Sequence, residues 1–126
     1  MSDKGHVHAG NTPLICISLY KPKPGKAKEL EALVSRHMPT LRELELVTDR
    51  PSTLARSDDG TLIEVFEWRS GDSIGKAHQH PKLARVWEAM GAIADFPSLG
   101  ALPEANERFP NFAPVDLDVP AGAKRP

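Results

Sequence analysis

Three residues in the middle of this chain have side chains suited to moving a proton: His37, Glu64 and His78. His37 falls on the stripe Ala27, Leu30, Val34, Leu41 and Leu44, whose three- and four-residue spacing is helical. An imidazole on such a stripe reads as a pocket base or a hydrogen-bond partner for a substrate, because imidazole titrates near neutrality. The plain alternative is a half-buried histidine with one nitrogen satisfied. Glu64 sits between Leu62 and Phe66 on one face of an apolar strand. A carboxylate there must be paired, hydrogen-bonded or protonated, and burial of this kind suits a general acid or base. The alternative is a structural carboxylate held by an arginine. Arg56 is placed for that only if the intervening loop is Asp59-Gly60-Thr61; with Asp59-Gly60 as a two-residue turn, Ala55 faces Glu64 instead.

His78 and His80 lie two apart, which on a helix turns the rings roughly 200° away from each other. No further ligand has zinc spacing, so no metal site is expected. His80 precedes Pro81 and reads as shaping a helix start, which leaves His78 as the better pocket residue. Glu67, nearer the strand end, reads as a rim or interface residue. Phe66, Trp68, Trp87 and Met90 could line a pocket for a flat apolar ligand, although such stripes are more often plain core. Cys16 reads as a small buried hydrophobe. There is no glycine-rich phosphate loop, nucleophile elbow, nucleotide fingerprint or haem-attachment motif, so no cofactor is expected.

The elements that must hold these residues follow from periodicity. Leu14 to Tyr20 is a first strand, stopped by KPKPGK. The His37 stripe is a first helix, with Pro39 expected to kink or divide it near Met38. Ser52 to Ser57 and Leu62 to Trp68 are the arms of a hairpin about Asp58-Asp59-Gly60. In the second arm Leu62, Glu64, Phe66 and Trp68 share one face, and Ile63, Val65 and Glu67 the other. Ser70 or Asp72 can cap a short helical turn, and Pro81 suits the first position of a helix carrying Leu83, Val86, Trp87, Met90, Ile93 and Ala94. Phe96 to Leu102 reads as a fourth, edge-like strand, followed by an arm with Phe109 and Phe112.

The order β-α-β-β-α-β is the split, ferredoxin-like plan: a four-stranded antiparallel sheet with helices on one face. The Leu62–Trp68 strand is apolar on both faces, so the other face needs a cover, and a second copy of the chain is the expected one.

At 126 residues the chain suffices for one domain. The organisation expected is a flexible arm over 1–12, a domain over 13–115 and a loose tail over 116–126, with His6 and His8 on the arm carrying no role. A net charge of −1, with both signs interspersed, argues against nucleic acid or a membrane surface as partner. The first dozen residues have no apolar signal region, no run approaches the roughly 18 apolar residues of a membrane span, and the single cysteine fits a reducing cytoplasm.

Taken together, EVFEW (Glu64 to Trp68), AHQHP (Ala77 to Pro81), Trp87, and Leu102-Pro103-Glu104 with Phe109 and Phe112 make residues 13–115 resemble the antibiotic-biosynthesis-monooxygenase-like (ABM) domains of the dimeric α+β barrel superfamily. The resemblance implies a homodimer with the two sheets facing each other and a pocket between each sheet and its helices. Some members of the family degrade haem; Trp87 stands about where those carry their iron-binding histidine, which argues against haem here. Others oxygenate polyphenols without a cofactor. On that pattern His78, His37 or Glu64 would remove a phenolic or enolic proton, and the resulting carbanion would itself reduce O₂, with Trp68 and Trp87 excluding water. The rival expectation is a non-catalytic, stress-related or scaffold dimer with a vestigial or merely ligand-binding pocket. A weaker one is an isomerase or lyase using the same base without oxygen.

Overall fold

A computed structural model describes residues 10–117. Most of the expected N-terminal arm, with His6 and His8, and all but the first two residues of the expected tail lie outside that range. The elements are β1 (Leu14–Pro22), α1 (Ala27–Glu43), β2 (Thr53–Arg56), β3 (Leu62–Trp68), α2 (Gly71–Gln79), α3 (Pro81–Ile93), β4 (Ala94–Asp95) and β5 (Ala113–Pro114). The strands form one sheet in the order β4-β1-β3-β2-β5, every neighbour antiparallel. An α+β domain with this β4-β1-β3-β2 order is compatible with the ferredoxin-like plan. The sheet has five strands where the sequence predicts four.

The extra strand and the changed fourth one share a cause. Ala94–Asp95 alone pairs with β1, at Pro22 and Lys21. Phe96-Pro97 then leaves the edge and runs into a short 3₁₀ turn at Leu99–Ala101 rather than continuing as the expected strand. Proline cannot donate to a ladder, so the pairing stops. The arm returns at Ala113–Pro114 to pair with the outer edge of β2.

α1 runs unbroken through Pro39, so of the expected kink or division the division does not occur. Met38 and Leu41, buried on either side of the proline, fix the helix to the core, and Thr40 Oγ1 donates to the Arg36 carbonyl at 2.8 Å. Ser70 caps α2 by accepting from the Ser73 amide at 3.2 Å. Pro81 opens α3, and His80 caps it by accepting from the Lys82 amide at 3.1 Å.

The hairpin adopts neither of the two registers considered. Its loop is Asp58-Asp59-Gly60, with Gly60 at φ +90° donating to the Ser57 carbonyl and the Ser57 amide donating to Thr61. This is the three-residue loop with a glycine bulge. Leu54 therefore faces Glu64 and Arg56 faces Leu62. Arg56 reaches across to Glu31 of α1 at 2.6 Å, leaving Glu64 to find other partners.

All three helices pack on one face of the sheet. Leu30, Val34, Met38 and Leu41 of α1, Ala77 of α2, and Leu83 and Met90 of α3 bury Tyr20, Leu62, Phe66 and Trp68. The other face is not wholly bare. Leu102 and Phe112 of the C-terminal arm fold back over Leu19, Ile63, Ala55 and Val65. Glu104 ties this arm to the hairpin: its carboxylate accepts from Ser57 Oγ at 2.7 Å and the Asp58 amide at 2.9 Å. Ile15 and Ile17, on the uncovered part, stay 56% and 49% exposed.

Candidate functional site

Pairing of β1 with β3 sets Ser18 opposite Glu64 and Cys16 opposite Phe66. The even residues of both strands thus share the helix-covered face. α1 crosses above them and lowers His37 onto this row; α3 brings Trp87 to the far side of the His37 ring. The result is a chain of four side chains, three of them buried and Trp87 half-buried. Tyr20 Oη donates to Glu64 Oε1 at 2.8 Å, His37 Nδ1 lies 2.7 Å from the same oxygen, and Trp87 Nε1 donates to His37 Nε2 at 3.0 Å.

The indole nitrogen settles the tautomer. It can only donate, so His37 Nε2 is an acceptor without a proton. Nδ1 then carries the hydrogen and donates it to Glu64. His37 is a neutral imidazole with both nitrogens committed, and it is 2% exposed. A second proton on this ring would break the bond to Trp87. The geometry makes His37 a holder of Glu64 more than a base. Burial first, and the neighbouring Glu64 charge second, push the Tyr20 hydroxyl well above its ordinary value. Tyr20 therefore stays a phenol and a donor.

Beside this chain lies a cavity of about 520 Å³. Tyr20, His37, Phe66, Trp68, His78 and Trp87 contribute to its wall, with Cys16 and Ser18 on the strand floor and Phe96-Pro97 also lining it. Its size is within the roughly 300–1,000 Å³ usual for small-molecule sites. Among the described residues no Asp, Glu, Lys or Arg lines it. Phe66 and Trp68 meet edge to face at 5.1 Å, and the His78 ring lies 5.1 Å from that of Trp87. His78 is exposed and makes that ring contact without a hydrogen bond, so its nitrogens are uncommitted among the described residues.

Comparison with family models, with characterised proteins and with solved structures finds no match. The site therefore stands on its own geometry.

Of the residues singled out from sequence, His37, His78, Phe66, Trp68 and Trp87 all line this cavity. Glu64 sits behind its wall and lines a different cavity, of about 280 Å³, with Ser35, Ser52 and Asp116. Met90 is not a wall residue. It is fully buried against Tyr20, Leu30 and Val34, because its turn of α3 faces α1 and the core. His80 is spent as a helix cap. Glu67, at the strand end, accepts from Thr48 Oγ1 at 2.8 Å and pairs with Arg50 at 3.2 Å; the Thr48 bond and then Arg50 hold its carboxyl below the ordinary range. Among the described residues no three His, Cys, Asp or Glu side chains cluster as a metal would require.

Tyr20 is the residue that sequence reasoning missed. A signal existed. A buried carboxylate needs donors and a buried tyrosine hydroxyl needs an acceptor. Cys16, Ser18 and Tyr20 alternate along the strand that pairs with Glu64, and Tyr20 is the chain's one tyrosine.

Proposed function

We propose that this chain is an ABM-like small-molecule-binding protein whose larger cavity takes a flat, uncharged aromatic or enolic molecule. The observation that carries this reading is the cavity wall: aromatic rings and two histidines, with no ionised Asp, Glu, Lys or Arg side chain. A carboxylate or phosphate group would find no cation there. A planar ring bearing a hydroxyl would find both stacking partners and hydrogen-bonding groups. The activity that suits such a ligand is cofactor-independent oxygenation, begun by removal of the hydroxyl proton.

The same reading includes a homodimer. Ile15 and Ile17 leave an apolar strip on the sheet face opposite the helices, beside the part that Leu102 and Phe112 cover. Pairing through this strip would bury on the order of 1,000 Å² or more in total. A monomer mass by sedimentation at micromolar concentration rules it out.

The rival reading is a dimer that binds without turnover. It is favoured by one observation, that both nitrogens of His37 are already committed. Two measurements separate the readings. Quenching of Trp68 and Trp87 fluorescence by naphthols and catechols reports binding. Oxygen uptake with the same compounds, in the absence of added cofactor, reports turnover. Binding without oxygen uptake across such a panel supports the non-catalytic dimer; no binding removes both.

A further inference from the structure

The wall between the two cavities is thin at one residue. Glu64 lines the smaller cavity, while its Oε1 is bonded to Tyr20 and His37, which line the larger one. Glu64 is 2% exposed, so a proton can reach it from the larger cavity only through a neighbouring side chain. Among the described residues two side chains touch Oε1. His37 cannot carry the proton, because Nε2 already accepts from Trp87 and Nδ1 already bears a hydrogen. Tyr20 can. Its hydroxyl donates to Glu64 and lies 3.4 Å from His37 Nδ1, which leaves an oxygen lone pair for another donor, and Tyr20 lines the cavity.

We propose that Tyr20 and Glu64 form a proton relay into the larger cavity, with Tyr20 Oη as the atom that meets the hydroxyl of a bound phenol or enol. The step balances without any other reactant. The ligand O–H bond breaks and its proton bonds to Tyr20 Oη; in the same event the Tyr20 O–H bond breaks and that proton bonds to Glu64 Oε1. Tyrosine ends as it began, Glu64 becomes a neutral acid, and the ligand becomes an anion. The total charge is unchanged, which is what a wall without cations requires. His37 continues to donate to Oε1 throughout, and Trp87 keeps it in the tautomer that does so.

Burial and the adjacent carboxylate push the Tyr20 hydroxyl well above its ordinary value. That fits a group that passes a proton on and does not hold a charge. The smaller cavity serves the return. It carries Ser35, Ser52 and Asp116, and its volume of about 280 Å³ is ample for water, so the proton on Glu64 can leave without passing the ligand. Of the other titratable neighbours, Cys16 lies on β1 with Tyr20, and His78 lies across the cavity on α2.

The relay rests on the reading of the larger cavity as a site for uncharged phenolic or enolic ligands. The probe is 4-nitrophenol, whose phenol and phenolate forms absorb at different wavelengths. It is added to saturating protein, buffered roughly one pH unit below the probe's own pKa. In the natural protein the phenolate-to-phenol ratio of bound probe should rise about tenfold over the free probe, the equivalent of one pKa unit. Tyr20→Phe keeps the ring and removes only the relay oxygen, and should return the ratio to that of free probe while the probe still binds. Glu64→Gln should do the same, with near-ultraviolet circular dichroism confirming the fold. If Glu64→Gln fails to fold, Tyr20→Phe decides alone. A Tyr20→Phe protein that keeps the raised ratio overturns the relay. So does loss of the ratio in His78→Ala but not in Tyr20→Phe, which makes His78 the base. If the natural protein does not bind the probe at all, the cavity reading fails first and the relay falls with it.

Discussion

The two faces of the sheet are built from neighbouring residues and behave as different materials. On the helix-covered face, Glu64, Phe66 and Trp68 are buried, and the one carboxylate is met by donors from β1 and α1. One residue along the same strand, Val65 faces the other way and stays half-buried, and its neighbours across β1, Ile15 and Ile17, are half exposed. Buried polar groups on the covered face find their partners inside the subunit: Glu64 is bonded by Tyr20 and His37. Among the described residues, Leu102 and Phe112 of a returning arm cover the apolar groups on the second face. The covered face holds a site; the second face is held in part by one buried carboxylate, Glu104.

The contrast is testable from its largest consequence downward. Phe66→Ala removes the largest of the fully buried side chains and should cost about 3–5 kcal/mol in urea unfolding. His37→Ala should cost on the order of 3 kcal/mol, since it strips a donor from the buried Glu64 and the acceptor from Trp87 Nε1. A His37→Ala protein as stable as the natural one would show that the chain of bonds is not a closed network.

On the second face the arm should come loose with acid. The Ser57 hydroxyl first, and the Asp58 amide after it, hold the Glu104 carboxyl below its ordinary 4.5. A lowered folded-state pKa means that the contribution is complete above the ordinary value and is lost as pH falls through the lowered one. Protease sensitivity within residues 96–112 should rise over that window, and Glu104→Gln should show it already at neutral pH. Ser70→Ala removes the α2 cap beside the cavity and should cost about 1 kcal/mol. Smallest is Ile17→Ala, expected within about 0.5 kcal/mol at high dilution. If the strip joins two copies, that cost grows with protein concentration; a concentration-independent value removes the interface.

The hairpin shows why part of this was not legible. Asp58-Asp59-Gly60 marks a turn in any reading, but its register depends on whether Ser57 belongs to the strand or to the turn. Ser57 is recruited into the turn, and its side chain is bound by Glu104, 47 residues away. That contact is invisible to local pattern. The helix through Pro39 is similar: local chemistry breaks it, and burial of Met38 and Leu41 overrides the break. The two-residue β5, half of it proline, has no periodicity to read and exists only because the arm returns to an open edge.

The sequence by itself determined the first strand, the first helix, the two hairpin strands and the helices that follow, a cap for α2 at Ser70 or Asp72, Pro81 as the opening of α3, and the alternation that puts Glu64, Phe66 and Trp68 on one face. Those follow from spacing and local backbone chemistry over a few residues. It also placed His37 on an inward stripe. Tertiary structure alone decided that Tyr20, from the opposite strand, reaches Glu64, that Arg56 does not, and that Trp87 fixes the proton of His37. A buried carboxylate announces that it needs donors; which donors answer depends on strand register and on where distant helices cross, and those are properties of the packed chain.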